Sequence, residues 1–229
     1  MIRSFLAAAG AAAVLLLAGC ATPTRMAFHD DAQRLDAASK PVLLMATTIK
    51  NQYRLSFQPR LIVVHVERPD AKDAKDRINF TMDDKAKVET VAAEQGNTYL
   101  LRMELEPGRY EIRGLTSMGG GFPIVGSFFT PLHVPIEVKE KGVYYVGHVR
   151  ATVRERQGNE FRAGAPIPLI DQAVIGASGG TFDVDITDTQ PADEVLFRQR
   201  FPALKDAPIS KAMLPAFDRA KAQDWWEKH

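Results

Sequence analysis

The feature that most restricts how this chain can fold is an alternation of period two, sustained from Val143 to Arg154. Val143, Tyr145, Gly147, Val149, Ala151 and Val153 fall on one side of it; Tyr144, Val146, His148, Arg150, Thr152 and Arg154 fall on the other. Successive side chains point to opposite faces of a strand, whereas a helix would scatter this pattern around its axis. The period recurs in Leu61–Arg68, where Ile62, Val64 and Val66 share a face. It recurs in Thr98–Leu105, where Tyr99, Leu101, Met103 and Leu105 do so opposite Arg102 and Glu104, and again from Arg109 to Ser117. Turn-forming residues separate the runs: Arg68-Pro69-Asp70, Glu106-Pro107-Gly108, Lys139 to Gly142, Gln157-Gly158-Asn159 and Ser178-Gly179-Gly180. Short strands at this spacing predict a mainly β fold, an antiparallel Greek-key β-sandwich, over residues 41–190. Residues 191–229 are expected to form short C-terminal helices, one after Pro191 with acids first and arginines last, and one from Pro215 to about Glu227.

Two turns carry opposite topological expectations. A direct hairpin at Pro107-Gly108 would set Arg102 against Arg113 and Glu104 against Glu111, two unfavourable like-charge pairs, so this turn is expected to pass from one sheet to the other. A turn within Lys139–Gly142 is instead expected to close a hairpin, placing Val138 opposite Val143 and His133 opposite His148.

The N-terminus speaks to location. Arg3 precedes an apolar run, Phe5 to Leu17, that is short for a bilayer span but suits a signal-peptide core, so residues 1–19 are expected to be removed. Leu17-Ala18-Gly19-Cys20, which holds the chain's single cysteine, resembles the lipobox of bacterial lipoproteins. The resemblance implies a covalent lipid on Cys20, which becomes the first mature residue and anchors the protein without a transmembrane helix. Ala21 in place of an aspartate implies the outer membrane, periplasmic face, with the inner membrane or cell surface as alternatives. Residues 20–40 are polar and irregular and read as a tether, with a short helix near Asp31 to Ala38.

A second resemblance lies in the body. Tyr99-Leu-Leu-Arg-Met-Glu-Leu-Glu-Pro-Gly-Arg-Tyr-Glu-Ile112, a strand, Pro-Gly-x-Tyr and a second strand, resembles carboxypeptidase-regulatory-like, transthyretin-like (Ig-like) β-sandwiches. Gly142-Val-Tyr-Tyr-Val-Gly147 resembles a segment of uncharacterised lipoproteins of that type. Such domains serve as accessory and binding modules, and the resemblance transfers no catalytic residue.

Composition narrows the chemistry. With 29 Lys+Arg against 28 Asp+Glu there is no polyelectrolyte driving force, so no nucleic-acid partner is expected. One cysteine excludes an internal disulfide and a multi-cysteine zinc site. Gly176-Ala177-Ser178-Gly179-Gly180 matches GxSxG, but an alternating strand follows where a nucleophile elbow needs a helix, so it reads as a turn. Asp183, Asp185, Asp188, Asp193 and Glu194 lack the glycine and final glutamate of a calcium loop and read as solvent-facing strand positions and a helix's first turn.

Three candidate sites remain. His133 and His148, paired across a hairpin, could share a metal ion, with no other cofactor expected. The glycine-rich stretch Met118–Pro131, with Phe122, Ile124, Val125, Phe128 and Phe129, is either a flexible interaction loop or part of the core. Trp225-Trp226 is either a partner-binding tail or a docked helix end. Together these readings point to a non-catalytic binding or assembly module, bound to the membrane by its lipid and contacting an envelope protein or glycan. The alternatives are an envelope hydrolase and a carbohydrate or peptidoglycan binder, the latter using Tyr144 beside the two histidines.

Overall fold

The computed structural model describes residues 22–31, 34–35, 39–88, 95–166 and 172–229. The signal peptide and Cys20 lie outside these residues, as does most of the helix expected near Asp31 to Ala38. The elements are β1 (Thr22–Arg25), β2 (Val42–Asn51), β3 (Arg60–Glu67), β4 (Arg77–Thr81), β5 (Lys87–Val88), β6 (Asn97–Glu104), β7 (Gly108–Gly121), β8 (Ile124–Val138), β9 (Val143–Glu155), β10 (Gly180–Thr187), helix α1 (Gln190–Arg200), β11 (Ile209–Lys211) and helix α2 (Arg219–Lys228). They build a mainly β sandwich. Sheet I runs β1-β4-β3-β7-β8 and sheet II runs β10-β9-β2-β6-β5, with β11 added beside β9.

The sheets are not antiparallel throughout. β1 lies parallel to β4, and both β2 and β11 lie parallel to β9. A parallel pair needs a long connection. The chain between β2 and β9 supplies one by building most of sheet I.

The Pro107-Gly108 turn carries the chain from β6 in sheet II to β7 in sheet I, so Arg102 and Arg113 never face each other. Tyr110 pins this corner by donating its hydroxyl to the Glu106 carbonyl, 3.0 Å away. The Lys139–Gly142 turn also changes sheet, and here the hairpin expectation fails. β8 pairs with β7, whereas β9 pairs with β2 and β10. Turn chemistry reports that the chain reverses, not that the two arms share hydrogen bonds.

Met118–Pro131 is no loop either. β7 and β8 pair continuously from Gly108 opposite Val138 out to Gly121 opposite Ile124. The glycines are there because large partners fill their space: a Cβ on Gly119 would sit 2.6 Å from the Phe128 ring, and one on Gly114 would sit 2.6 Å from Phe129.

The alternation of β9 breaks at Gly147, whose φ of +124° disfavours any side chain. A bulge there shifts the register against Leu44 and Met45. Val146 therefore joins the inter-sheet core, with Met45, Leu101 and Leu115, while Val143 faces out into a second apolar cluster.

That second cluster joins segments from both ends of the chain to the sandwich. α1 and the 3₁₀ turn after it lay Phe197, Phe201 and Leu204 over the outer face of sheet II, against Leu44, Ala46 and Leu100. Ala27 and Phe28, expected in a tether, are buried here, and Thr22–Arg25 extends sheet I. Arg102, expected in solvent, is fully buried beneath this layer. Its guanidinium pairs with Asp83, donates to the Ala27 and Leu100 carbonyls at 3.0 Å and stacks on Phe201. Burial lowers its pKa, and Asp83 opposes that. On the other side, α2 lays Trp225 on the outer face of sheet I, buries Ala222 against the inter-sheet core and bonds β10 of sheet II through Arg219.

Candidate functional site

The two ends of the sandwich differ sharply. Thr22, Ile78, Val66, Ile112 and Val134 share one level of sheet I, near the Pro107-Gly108 and Lys139–Gly142 turns. At the opposite end the β7–β8 hairpin runs on, and beside it lie the loop after β2 and the turn before β10. Among the described residues, five large hydrophobic side chains are exposed, and four of them gather at this far end: Leu55, Phe122, Val125 and Val174. Phe122 is 99% exposed at the hairpin tip, in a cis Phe122–Pro123 peptide. Gly120 makes this tip possible. Its φ is +85°, and a Cβ would stand 2.1 Å from the Ile124 carbonyl oxygen.

This crown is held by amides. Asn51, at the end of β2 and fully buried, donates from Nδ2 to the Phe57 carbonyl (3.0 Å) and the Ile175 carbonyl (2.9 Å), and its Oδ1 accepts from the Arg54 N–H (2.8 Å). Gln58 closes the same loop by donating from Nε2 to the Asn51 carbonyl at 2.9 Å. Gln172 ties the third segment to the hairpin: its Oε1 accepts from the Ser127 N–H at 2.7 Å, and its Nε2 donates to the Ala165 carbonyl at 2.8 Å. Ile175 packs so closely over the hairpin that a Cβ on Gly126 would lie 2.3 Å from its Cδ1. A buried amide with its polar atoms paired fixes backbone as firmly as a turn of secondary structure. The crown is therefore a fixed surface built from three segments. Sequence reasoning missed Asn51 and Gln172. Asn51 carried a signal, since it shares strand parity with the core residues Leu43, Met45 and Ile49.

The expected residues distribute as follows. Of the five in Met118–Pro131, Phe122 and Val125 are exposed, Ile124 packs against the core, Phe128 is fully buried, and Phe129 lies under α2. Trp225 and Trp226 dock on their own domain. The Trp225 ring lies 5.5 Å from Phe129 and 4.8 Å from His133, while Trp226 packs on the core beneath Arg156. His133 and His148 stand in different sheets, so they cannot share a metal as a hairpin pair. No cluster of three metal-ligating side chains occurs among the described residues. Tyr144 is remote from that scheme too, its hydroxyl donating into the Lys139–Gly142 turn at the Glu140 and Lys141 carbonyls.

Each histidine has a carboxylate instead. His133 Nδ1 donates to Glu111 at 2.8 Å, and Lys221 of α2 reaches the other Glu111 oxygen at 2.9 Å. The His133 bond, aided by Lys221 and opposed by partial burial, holds the Glu111 carboxyl at about 2. His148 Nδ1 donates to Asp193 of α1 at 3.1 Å, and its Nε2 meets the Thr48 hydroxyl at 2.8 Å, which in turn meets Thr98 at 2.8 Å. Asp193 also accepts from Tyr145 (2.6 Å) and Thr189 (2.8 Å). Burial opposes ionisation of Asp193, but these donors outweigh it and its pKa is lowered. Burial, then the bond to Asp193, pushes the Tyr145 phenol up.

Of the acidic residues in and after β10, Asp183 pairs with Arg154 and Arg219, and Asp188 pairs with Lys211. Ser178 lies in the turn that leads into β10, a strand and not a helix. Shallow clefts of about 430 Å³ beside Leu35 and Pro202, about 390 Å³ beside Pro191 and Lys211, and about 320 Å³ between Lys87, Leu100 and Arg200 open among the described residues. None of the described helices is long and apolar enough to cross a membrane. No family model, curated protein or solved structure matches the chain.

Proposed function

We propose that this chain is a lipid-anchored cell-envelope protein that acts as a non-catalytic binding or assembly module, with a transthyretin-like sandwich as its scaffold and the crown as its contact. A diacylated Cys20 on the periplasmic face of the outer membrane supplies the anchor. The observation that carries the binding role is Phe122, almost wholly exposed at the tip of a hairpin whose arms have 14 and 15 residues. An aromatic side chain held in water on a fixed support costs free energy until a partner covers it. The sheet change at Pro107-Gly108 supports the scaffold reading. The test has two parts. Cys20→Ala should abolish metabolic palmitate labelling and release the protein from the membrane fraction. Phe122→Ser should leave the melting temperature unchanged and remove the protein from its assemblies in native gels of envelope extracts. Retention of palmitate in the first variant, or unchanged assemblies in the second, refutes the corresponding part.

One observation favours a second reading, an envelope hydrolase. Asp193, His148 and Thr48 form a carboxylate–imidazole–hydroxyl series of the kind that activates a nucleophile. Labelling of Thr48 by a fluorophosphonate or β-lactone, abolished in His148→Ala, would move the function to that site.

A further inference from the structure

We infer that the crown faces away from the anchoring membrane and receives a protein partner bearing an apolar pocket bordered by carboxylates. This rests on lipid attachment at Cys20. Thr22 follows Cys20 by two residues, a reach of at most about 7 Å. Thr22 begins β1 at the level of Ile78, Val66 and Ile112, and β1 runs parallel to β4 towards the crown, so the chain enters at the opposite end. From Ile112, β7 continues nine residues to Gly121, about 30 Å at the usual rise of a strand. A lipid on Cys20 therefore holds the Thr22 end against the bilayer and lifts Phe122 roughly 30 Å from it.

Charge defines the partner further. The three segments that build the crown, 50–60, 114–130 and 172–180, contain Lys50, Arg54 and Arg60 and no acidic residue. Arg54 and Arg60 are exposed, and Arg54 lies over the Tyr53 ring at 4.5 Å. An apolar projection with Arg54 and Arg60 exposed in the same crown suits either an anionic lipid surface or an acidic protein pocket. Distance from the anchor selects the protein. Phe122 then acts as an aromatic anchor that fills a pocket, and the arginines set the approach and orientation.

Two measurements on the full-length lipidated chain test this. First, the protein is reconstituted in phosphatidylglycerol/phosphatidylethanolamine vesicles with headgroup-nitroxide lipid, with a dye at Val125→Cys or at Lys139→Cys in the Cys20-acylated protein. Quenching at 139 but not at 125 is expected. Quenching at 125 overturns the orientation and favours a lipid contact, whereas quenching at neither position indicts the lipid anchor itself. Second, a photoreactive phenylalanine analogue replaces Val125 in intact cells. One discrete heterologous adduct is expected, weakened at least tenfold by Phe122→Ser and by Arg54→Glu with Arg60→Glu, and absent with the probe at Lys139. An adduct of twice the chain mass, one insensitive to these substitutions, or none at all overturns the proposal, whatever the first measurement finds about the anchor.

Discussion

The two C-terminal helices solve the same problem in unlike ways, and the contrast lies in how much water each leaves at its contacts. α1 covers the outer face of sheet II and supplies the carboxylate of the Asp193–His148 pair, whereas α2 lays Trp225 on sheet I and brings Lys221 to the Glu111–His133 pair. α1 does so in an apolar layer, with Phe197 and Asp193 buried beside Phe201, Leu204 and Leu44. α2 buries only Ala222, and its Trp225, Lys221 and Asp224 remain partly or fully in water. A layer from which water is excluded makes every polar atom in it depend on its protein partner, whereas a half-wet layer lets water substitute.

The largest test sets apolar contact against apolar contact. Phe197→Ala should cost about 3–5 kcal/mol, because a fully buried ring leaves a cavity that its neighbours cannot collapse into. Trp225→Ala, although it deletes a larger ring, should cost only about 1–2 kcal/mol. Denaturant midpoints measure both. Equal losses would end the distinction between the two faces.

The carboxylates repeat the comparison at closer range. Asp193→Ala leaves Tyr145, Thr189 and His148 without an acceptor inside the layer, at a cost of about 3–5 kcal/mol. Glu111→Ala removes a partner that water replaces at the half-exposed Lys221 but not at the buried His133, a loss of about 1–2 kcal/mol. Asp193→Asn keeps an acceptor for Tyr145 and should recover part of the loss, which distinguishes hydrogen bonding from packing.

Acid should reach both faces, with one sign. A carboxyl whose folded pKa lies below its unfolded one contributes stability above the unfolded value and loses it as pH falls through the folded value. For Glu111, folded at about 2 against an ordinary 4.5, the window runs from about pH 5 down to 2. In a sealed site that shift would be worth about 3 kcal/mol, but exposure to solvent screens it to about 1. The stability–pH profile of Glu111→Gln should be flatter by that amount below pH 5. Asp193 is displaced in the same direction, so its variant should flatten the profile too.

Much of this contrast could be read in the sequence, and the part that could not shares one cause. Strand parity placed the inter-sheet core of β6 and, in β3, Val64 and Val66, although a bulge puts Leu61 rather than Ile62 in that core; the like-charge oppositions at Arg102 and Glu104 predicted the change of sheet at Pro107-Gly108. Parity says which side a residue faces, however, and not what covers that side. Arg102 and His148 stand on the face assigned to solvent, and both are buried because α1 lies there. α1 itself was legible from Pro191 and its terminal charges, but its docking depends on Phe197 and Phe201 meeting residues more than ninety positions earlier. In β9 the pattern continued through Gly147 while the backbone bulged, so a regular alternation concealed a register shift. The glycines of Met118–Pro131 left loop and core both open, because composition does not show that Phe128 and Phe129 fill the space beside Gly119 and Gly114.

The smallest effect is the most discriminating, because it asks whether α2 matters to groups it does not touch. His65, on the outer face of sheet I, bonds Asn79 and Thr116 at 2.8 Å and packs its ring 6.0 Å from Phe129, which α2 covers through Trp225. Burial, aided by the Arg113 charge and opposed by the Asn79 bond, lowers its pKa below the ordinary 6.5. The neutral ring is therefore favoured in the folded state, and stability falls as pH drops below about 6.5. Removing Trp225 admits water to Phe129 and relaxes the desolvation, so in Trp225→Ala the His65 midpoint, followed by NMR, should rise by a few tenths of a unit towards 6.5. Phe197→Ala, which opens the opposite face, should leave it where it was. A His65 midpoint that moves with Phe197 and not with Trp225 would mean that the two outer layers communicate through the core, and that the half-wet helix contributes nothing to the sheet beneath it.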